Sequence, residues 1–294
     1  MMRAEDLTLA LGGRWHRRYG TAPCPVCQPE RRRGQDALTL TDGHAGLLAH
    51  CKRAGCDFRN ILGAAGVAPG PYTLPNPSGF AQREAERRAD GKKRAGQAHR
   101  LWREAFPIGG TVAETYLREA RRITCVLPST LRFHPTCWHG ATASRHPALV
   151  ALIDGSDDFA VHRTYLRPDG SGKAALVPPK AMLGAASGGA LRLTGAGGAL
   201  VVAEGIETAL SLACGLLRSP ASIWAALSTS GLRGLRLPPA AGKLTVACDG
   251  DAPGRDAAHA LAERASALGW RVSLLPAPEG RDWNDILTLK GDRT

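Results

Sequence analysis

The sequence has few aromatic residues and no apolar run long enough to cross a membrane. Phe, Trp and Tyr together account for 5% of its 294 residues. A membrane-spanning helix needs about 20 consecutive apolar residues, and no segment of the chain has that character. The N-terminus also lacks the short apolar segment of a secretory signal peptide. These absences argue against an integral membrane protein, and we expect a cytoplasmic one.

Acidic side chains are also in short supply. The chain carries 38 Lys and Arg residues against 26 Asp and Glu residues, which gives a formal net charge of +12. This balance favours a polyanionic partner such as nucleic acid. The alternative is a basic surface that only keeps the protein soluble, since a composition rich in Ala, Gly and Arg contributes to the charge. The length of the chain suggests about two domains.

Two apolar segments of strand length end in carboxylates. Residues 199–203 are followed by Glu204, and residues 244–248 are followed by Asp249 and Asp251. Open α/β sheets place their sites at the carboxyl ends of such strands, so we expect the three carboxylates to converge in one pocket. Oxygen ligands of this kind suit Mg²⁺ or Mn²⁺ better than zinc.

A strand ending in Glu-Gly, followed by a strand ending in Asp-x-Asp with a nearby Gly, resembles the Toprim domain. Bacterial-type DNA primases, topoisomerases and some nucleases share this domain. The resemblance covers about residues 197–290 and implies that Glu204, Asp249 and Asp251 are catalytic metal ligands. The alternative is that such side chains only cap helices, with a proline in the first turn after Asp251 and with Asn284 near the last helix.

Four of the eight cysteines form two close pairs near the N-terminus. Two residues separate Cys24 from Cys27, and four separate Cys51 from Cys56. In a reducing compartment cysteines are better explained as metal ligands than as disulfides. Two such pairs, separated by strand-like sequence, are typical of a structural zinc ribbon. His50 competes with Cys51 as the third ligand, and unligated cysteines in a small core are the alternative to a zinc site.

The segment HCKRAGCDFRNILGAAG, residues 50–66, resembles the end of the zinc-binding domain of phage and plasmid primases. A zinc ribbon before a Toprim domain is the order found in bacterial and phage primases. The resemblance implies a DNA-dependent primase, a nucleotidyltransferase that makes short RNA primers from NTPs on single-stranded DNA during DNA replication. It also implies that the ribbon contacts the template through Arg14, Trp15 and Arg53.

The same resemblance implies which residues line the catalytic cleft. In bacterial-type primases a mixed subdomain before the Toprim domain supplies basic side chains, and Arg163, Lys173 and Lys180 stand at the matching positions. Arg255, shortly after the Asp-x-Asp motif, is a further candidate for holding phosphates. The segment GRDWNDIL resembles the end of primase Toprim domains, which makes Asp282 a candidate metal-facing carboxylate.

The sequence therefore predicts an α/β protein built of four segments. They are a zinc-binding ribbon at 1–66, a linker with a charged helix at 67–106, an α+β N-terminal subdomain of the catalytic core at 107–196 and a Rossmann-like, mostly parallel Toprim domain at 197–294. Prolines and glycines at 67–80 indicate the linker. No ATPase phosphate loop is present, so we expect any replicative helicase to be a separately encoded partner.

Two other functions are compatible with these residues. A Toprim nuclease would use similar carboxylates to hydrolyse a phosphodiester. A non-catalytic protein that binds single-stranded DNA would act as a replication accessory factor. Nucleotide incorporation distinguishes a primase from both.

Binding to single-stranded DNA should depend steeply on salt, because phosphates that the protein neutralises release counterions. We expect the affinity to fall by roughly two orders of magnitude or more between about 50 and 200 mM salt. Fluorescence anisotropy with a labelled oligonucleotide measures the slope. A flat response would mean that the net charge of +12 reflects composition alone.

Overall fold

The structure, a computed structural model of the chain, describes residues 3–32, 34–43, 46–67, 77–195, 197–217 and 219–291. The chain divides into two compact units, Met1–Arg88 and Ala89–Thr294. Most of the linker predicted at 67–80 lies outside the described residues.

The first unit contains a four-stranded antiparallel sheet whose strands pair in chain order. Leu7 of its first helix packs with Leu38 and Leu40 of the third strand and with Ile61 of the second helix, which forms a small core. The elements are α1 (Ala4–Ala10), β1 (Arg14–Trp15), β2 (Gly20–Ala22), β3 (Leu38–Asp42), β4 (Leu47–Cys51) and α2 (Phe58–Ala64).

A long charged helix, α3 (Pro77–Glu104), follows, within the segment predicted to hold a linker and a charged helix. Towards its end, Ala98 and Trp102 pack against Val150 and Val161 of the next sheet. Within the described ranges, no helix combines the length and the apolar character needed to cross a membrane.

The second sheet is an antiparallel meander of five strands. A short helix precedes its long strands and passes into a wider π turn at Tyr116–Ala120, which buries Tyr116 and Leu117. The elements are β5 (Phe106–Pro107), α4 (Val112–Thr115), β6 (Leu131–His139), β7 (Ser144–Ile153), β8 (Ala160–Tyr165) and β9 (Lys180–Gly184).

The third sheet is mostly parallel, as predicted. Its strands are β10 (Leu191–Arg192), β11 (Ala199–Ala203), β12 (Ala221–Ala225), β13 (Lys243–Ala247) and β14 (Arg271–Leu274). They lie in the order β10-β12-β11-β13-β14, with β10 antiparallel and the others parallel. The helices are α5 (Ile206–Ser211, continued by a π turn to Leu216), α6 (Thr229–Gly234), α7 (Ala252–Ala267) and α8 (Trp283–Gly291).

Both faces of the parallel sheet are buried, which explains the uninterrupted apolar run of β11. Leu200 and Val202 belong to the core that α6 and α7 cover. Val201 and Ala203 point the other way, into a core shared with α5 and with Leu149 of the antiparallel sheet. The two sheets of the second unit are therefore joined by one hydrophobic core.

Candidate active site and metal sites

The parallel pairing of β11 and β13 brings the predicted carboxylates to one sheet edge. Ala203 lies opposite Ala247, so Glu204 and Asp249 follow neighbouring strand ends. Thr208 of α5 donates its hydroxyl proton to Asp249 Oδ1 over 3.2 Å. Asp251 is close as well: a side-chain carbon at Gly254 would lie 2.8 Å from Asp251 Oδ1 and 3.3 Å from Glu204 Oε2.

The crowded carboxylates resist ionisation. Burial, followed by the charges of Asp249 and Asp251, raises the pKa of Glu204 to about 7. Burial, followed by the charge of Asp282, raises the pKa of Asp249 to about 6. Glu204 Oε2 is buried and has no hydrogen-bond partner among the residues that the structure describes. A buried, unpaired carboxylate oxygen costs free energy that a bound cation would recover, so these residues fit a hard divalent ion.

The described residues hold one compact group of potential metal ligands, and that group is not at the acidic edge. Among the residues that the structure describes, only the four N-terminal cysteines form a group of three or more potential ligands whose atoms all lie within 4.8 Å of one another.

Gly250, between the two aspartates, lets the Asp282 loop approach this edge. A side chain at position 250 would overlap the carbonyl oxygen of Pro278, so only glycine fits. The Gly250 N–H donates to the Arg281 carbonyl over 2.8 Å, and Gly280 donates back to the Gly250 carbonyl over 3.1 Å. This pairing explains how Asp282 comes near enough to raise the pKa of Asp249.

The capping interpretation is correct for Asp251 and also describes Asp282. Asp251 Oδ1 accepts the Gly254 N–H over 2.8 Å at the start of α7. Asp282 accepts the Asp285 N–H over 2.8 Å, and its own N–H donates to the Asp285 side chain over 3.0 Å. Each aspartate thus caps a helix and adds negative charge near the acidic edge.

Asn284, the expected cap near the last helix, has a different position. It is buried, and its amide donates to the Arg121 carbonyl over 2.7 Å and to the Ser211 hydroxyl over 2.9 Å. The side chain therefore fastens α8 to α5 and to the segment after the π turn.

Another acidic residue, Glu207, forms ion pairs with two lysines, one at the start of β9 and one in the loop before that strand. Lys173 Nζ lies 2.8 Å from Glu207 Oε1, and Lys180 Nζ lies 3.8 Å from Oε2. Tyr116 donates its phenol proton to Glu207 Oε1 over 2.6 Å. Glu207 is buried, and burial alone would raise its pKa, but Lys180 and Lys173 hold it well below its usual range.

Arg121 and His162 belong to the same group of side chains around Glu207. Arg121 donates to the Tyr116 hydroxyl over 3.0 Å. Burial, followed by the charge of Lys180, lowers the pKa of His162 to about 4, so this ring is neutral at pH 7. The charge of Lys180 also partly opposes the rise in the pKa values of Glu204 and Asp249, so it acts on the acidic edge as well as on Glu207.

Comparison with known families identifies the parallel-sheet region. Residues 199–293 match the family model described as Toprim domain. This region is a Toprim domain. Residues 92–193 match a domain of unknown function, DUF7146. The predicted Toprim resemblance is confirmed, and none of the curated proteins matches the chain.

Solved structures similar to the chain are primases. The first, a DNA primase domain from Pseudomonas aeruginosa, has 22% identity and a TM-score of 0.33, and the match covers 54% of this chain and 54% of that one. The zinc-binding and RNA polymerase domains of the Aquifex aeolicus primase have 13% identity and a TM-score of 0.41, with 98% and 80% covered. The primase fragment of the bacteriophage T7 primase-helicase has 15% identity and a TM-score of 0.33, with 93% and 96% covered.

The two arginines predicted to hold phosphates lie in different surroundings. Arg163 lies opposite Val150, on the face of the antiparallel sheet away from His162, and donates to the carbonyl oxygens of Trp138 and Met182 over 3.1 and 3.3 Å. Arg255, in the first turn of α7, donates to the Gly250 carbonyl over 2.6 Å. Arg255 therefore lies beside the Toprim acidic edge, whereas Arg163 is fixed elsewhere.

The N-terminal cysteines do come together, in the first unit. The sulfur atoms of Cys24, Cys27, Cys51 and Cys56 all lie within 4.8 Å of one another. Burial opposes ionisation of Cys51, but backbone N–H groups of Ala54, Cys56 and Arg53 point at its sulfur and lower its pKa to about 6. Thiolate character at this spacing is compatible with zinc.

His50 is not part of this cluster. It lies next to Cys51 in β4, and successive strand residues point to opposite faces, so Cys51 turns inward while His50 is exposed. Arg14 and Arg53 of the same unit are also exposed, whereas Trp15 is half-buried against the small core.

Sequence reasoning missed Glu207, although it stands three residues after Glu204. An acidic residue in the first turn of a helix is ordinarily explained by the helix dipole. Its burial depends on Lys173, Lys180 and Tyr116, which arrive from another sheet and another helix. The spacing Glu-x-x-Glu is the sequence feature that could have drawn attention to Glu207.

Replacing Cys51 with Ser should release the zinc, whereas replacing His50 with Ala should leave it bound. The reason is that Cys51 contributes a thiolate to the cluster and His50 faces solvent. Elemental analysis of the purified protein should give about one zinc ion per chain for the parent and for His50→Ala. Zinc retention in Cys51→Ser with loss in His50→Ala would reverse the assignment.

Replacing Glu207 with Gln should destabilise the protein by roughly 2 to 4 kcal/mol at pH 7, because two partly buried lysines lose their counter-ion. Since the pKa of Glu207 is depressed on folding, its contribution is fully present above the unfolded value of about 4.3 and declines as the pH falls below it. Urea unfolding at several pH values measures the difference.

The matched control is Glu84→Gln, which removes an exposed ion pair with Arg88 on α3. We expect it to cost roughly 0.5 kcal/mol or less. Equal stabilities of the parent and Glu207→Gln at pH 7 would contradict a stabilising role for the cluster.

Proposed function

We propose that the protein is a DNA-dependent primase that joins ribonucleotides on a single-stranded DNA template. The observation that carries the proposal is the acidic edge of its Toprim domain, where Glu204, Asp249 and Asp251 crowd together beside Lys180. A four-cysteine ribbon precedes the Toprim domain in the chain, which is the order that bacterial and phage primases have. The basic charge of the chain supports a nucleic-acid substrate.

Glu204, Asp249 and Asp251 would hold Mg²⁺ or Mn²⁺, with Asp282 facing the same edge. When bound, divalent ions at such a site lower the pKa of the attacking hydroxyl and neutralise the triphosphate as pyrophosphate leaves. The four cysteines of the ribbon would hold a structural zinc ion.

The protein's own residues supply binding and proton transfer. Lys180 is 39% exposed and its charge acts on Glu204 and Asp249, so its ammonium group can contact a phosphate bound at this edge. Lys173 is more buried and is engaged by Glu207 at 2.8 Å, so it serves to position Lys180 and Tyr116. Glu204 Oε2, which has no hydrogen-bond partner among the described residues, is placed to accept a proton at the edge.

The ribbon would bind the template. Arg14 and Arg53 are exposed and can contact phosphates, which suits the electrostatic part of single-strand binding. Trp15 is half-buried against the core of the ribbon, so one side of its ring is used for packing.

Incubation with labelled NTPs, Mg²⁺ or Mn²⁺ and a mixed-sequence single-stranded template tests the proposal. A primase extends products from nucleotides alone. Cleavage of the template without incorporation would indicate a Toprim nuclease, and binding without either reaction would indicate an accessory protein.

Replacing Asp249 or Asp251 with Asn should reduce nucleotide incorporation by roughly 10³-fold or more while template binding survives. Asn keeps the size of Asp and is an equally good helix cap, so the Asp251 cap of α7 is preserved and only the charge is lost. Gel assays of product and anisotropy of template binding separate the two effects. Full incorporation by both variants would mean that the carboxylates serve only as caps.

Asp282→Asn should reduce incorporation by about 10- to 100-fold, because its charge acts on Asp249 from a neighbouring loop. Asp285→Asn is the matched control, since it alters the same cap at a position exposed to solvent. Equal losses in the two variants would show that the effect comes from the helix cap.

A further inference from the structure

Two cysteines outside the zinc ribbon lie against each other at the joint between the antiparallel sheet and the Toprim domain. Cys125 follows the π turn, and Cys214 lies in the π turn that continues α5. The backbone N–H groups of Thr124 and Cys125 each donate to Cys214 Sγ over 3.3 Å. The Cys125 thiol points at the Leu210 carbonyl over 3.8 Å.

Both thiols are within reach of small reagents. Each is partly exposed, and their neighbours Thr124, Val126 and Gly215 are exposed. Both cysteines are free in this structure, and the two are 89 positions apart in the chain.

The two thiols differ in how readily they ionise, because their surroundings differ. The neighbouring Cys125 side chain, aided by the two backbone N–H groups, lowers the pKa of Cys214 to about 5, although burial opposes this. The hydrogen bond to Cys214 and then burial raise the pKa of Cys125 far above its usual range. Cys214 is therefore the nucleophile of the pair.

We propose that Cys125 and Cys214 form a reversible disulfide when the protein meets hydrogen peroxide. The Cys125 backbone N–H lies 3.3 Å from Cys214 Sγ, which puts the Cys125 side chain next to that sulfur. The bond would tie the end of α5, whose first turn carries Glu207 and Thr208, to the segment that carries Arg121. This is a modification site and does not depend on the polymerising activity.

The chemistry balances in two steps. The Cys214 thiolate attacks one peroxide oxygen, the O–O bond breaks, and a sulfenic acid forms with release of hydroxide. The Cys125 sulfur then attacks the sulfenic sulfur, the S–OH bond breaks, and the hydroxyl leaves as water with the Cys125 proton. Two thiols are oxidised while one peroxide is reduced, and a dithiol reductant restores the pair.

Mass spectrometry can identify this bond without ambiguity. Trypsin cleavage after Arg122, Arg132, Arg192 and Arg218 places Cys125 alone in peptide 123–132 and Cys214 alone in peptide 193–218. The full-length protein is treated with hydrogen peroxide, alkylated with N-ethylmaleimide and digested. We expect the linked pair of peptides to appear and to vanish after dithiothreitol treatment.

Variants test the roles of the two sulfurs. In Cys125→Ser the sulfenic acid of Cys214 should persist and react with dimedone, whereas in Cys214→Ser Cys125 should stay reduced. Cys137 and Cys248 are buried internal references that should remain unmodified under the same treatment. Separate alkylation of Cys125 and Cys214 after peroxide treatment, with the ribbon cysteines already oxidised, would overturn the proposal.

A melting curve supplies a second readout. Peroxide should raise the melting temperature of the parent by about 5 °C relative to Cys125→Ser treated in the same way, because a bond across 89 positions restricts the unfolded chain. A lower melting temperature of the bridged parent would show that the bond disrupts native packing, against the proposal.

Discussion

The second unit depends on the buried carboxylate of Glu207. A carboxylate in a hydrophobic core is strongly destabilising unless cations and hydrogen bonds surround it. Lys173, Lys180 and Tyr116 satisfy Glu207, and all three come from outside the Toprim domain. The antiparallel sheet and the π turn must therefore dock on α5 in one arrangement. That arrangement also decides where the ammonium group of Lys180 lies, which is next to the acidic edge.

The acidic edge has the opposite electrostatic character. Glu207 ionises readily because its cations outweigh its burial, whereas Glu204 and Asp249 have raised pKa values because burial is followed by further carboxylates. The two acids of the Glu-Gly-Ile-Glu motif thus have different tasks. Glu207 organises the protein, and Glu204, with its unpartnered Oε2, is available to a cation or a proton.

Helix capping and participation in a charged site are compatible roles for the same side chain. Asp251 gives one oxygen to the Gly254 N–H, and Asp282 shares a reciprocal cap with Asp285. The caps fix the direction of each carboxyl group, because the helix start holds one oxygen in place. The contact between the Gly250 and Gly280 loops then brings both caps to the same edge. A capping role is therefore no argument against a functional one.

The local sequence pattern was sufficient to predict those features that depend on residues close together in the chain. The apolar runs before Glu204 and Asp249 predicted two buried strands, and the close cysteine pairs predicted a four-sulfur cluster. Side chains alternate along β4, so only one of the neighbours His50 and Cys51 can face the sulfur cluster. The pairing of β4 with β3 decides that it is Cys51. Arg163, Lys173 and Lys180 looked alike as basic residues, and the register of the antiparallel sheet gave them different surroundings. By itself the sequence determined which residues can ionise and which segments are strands. The tertiary structure decided which of these groups meet and how readily each ionises, because burial and contacts between distant segments depend on how the sheets pack.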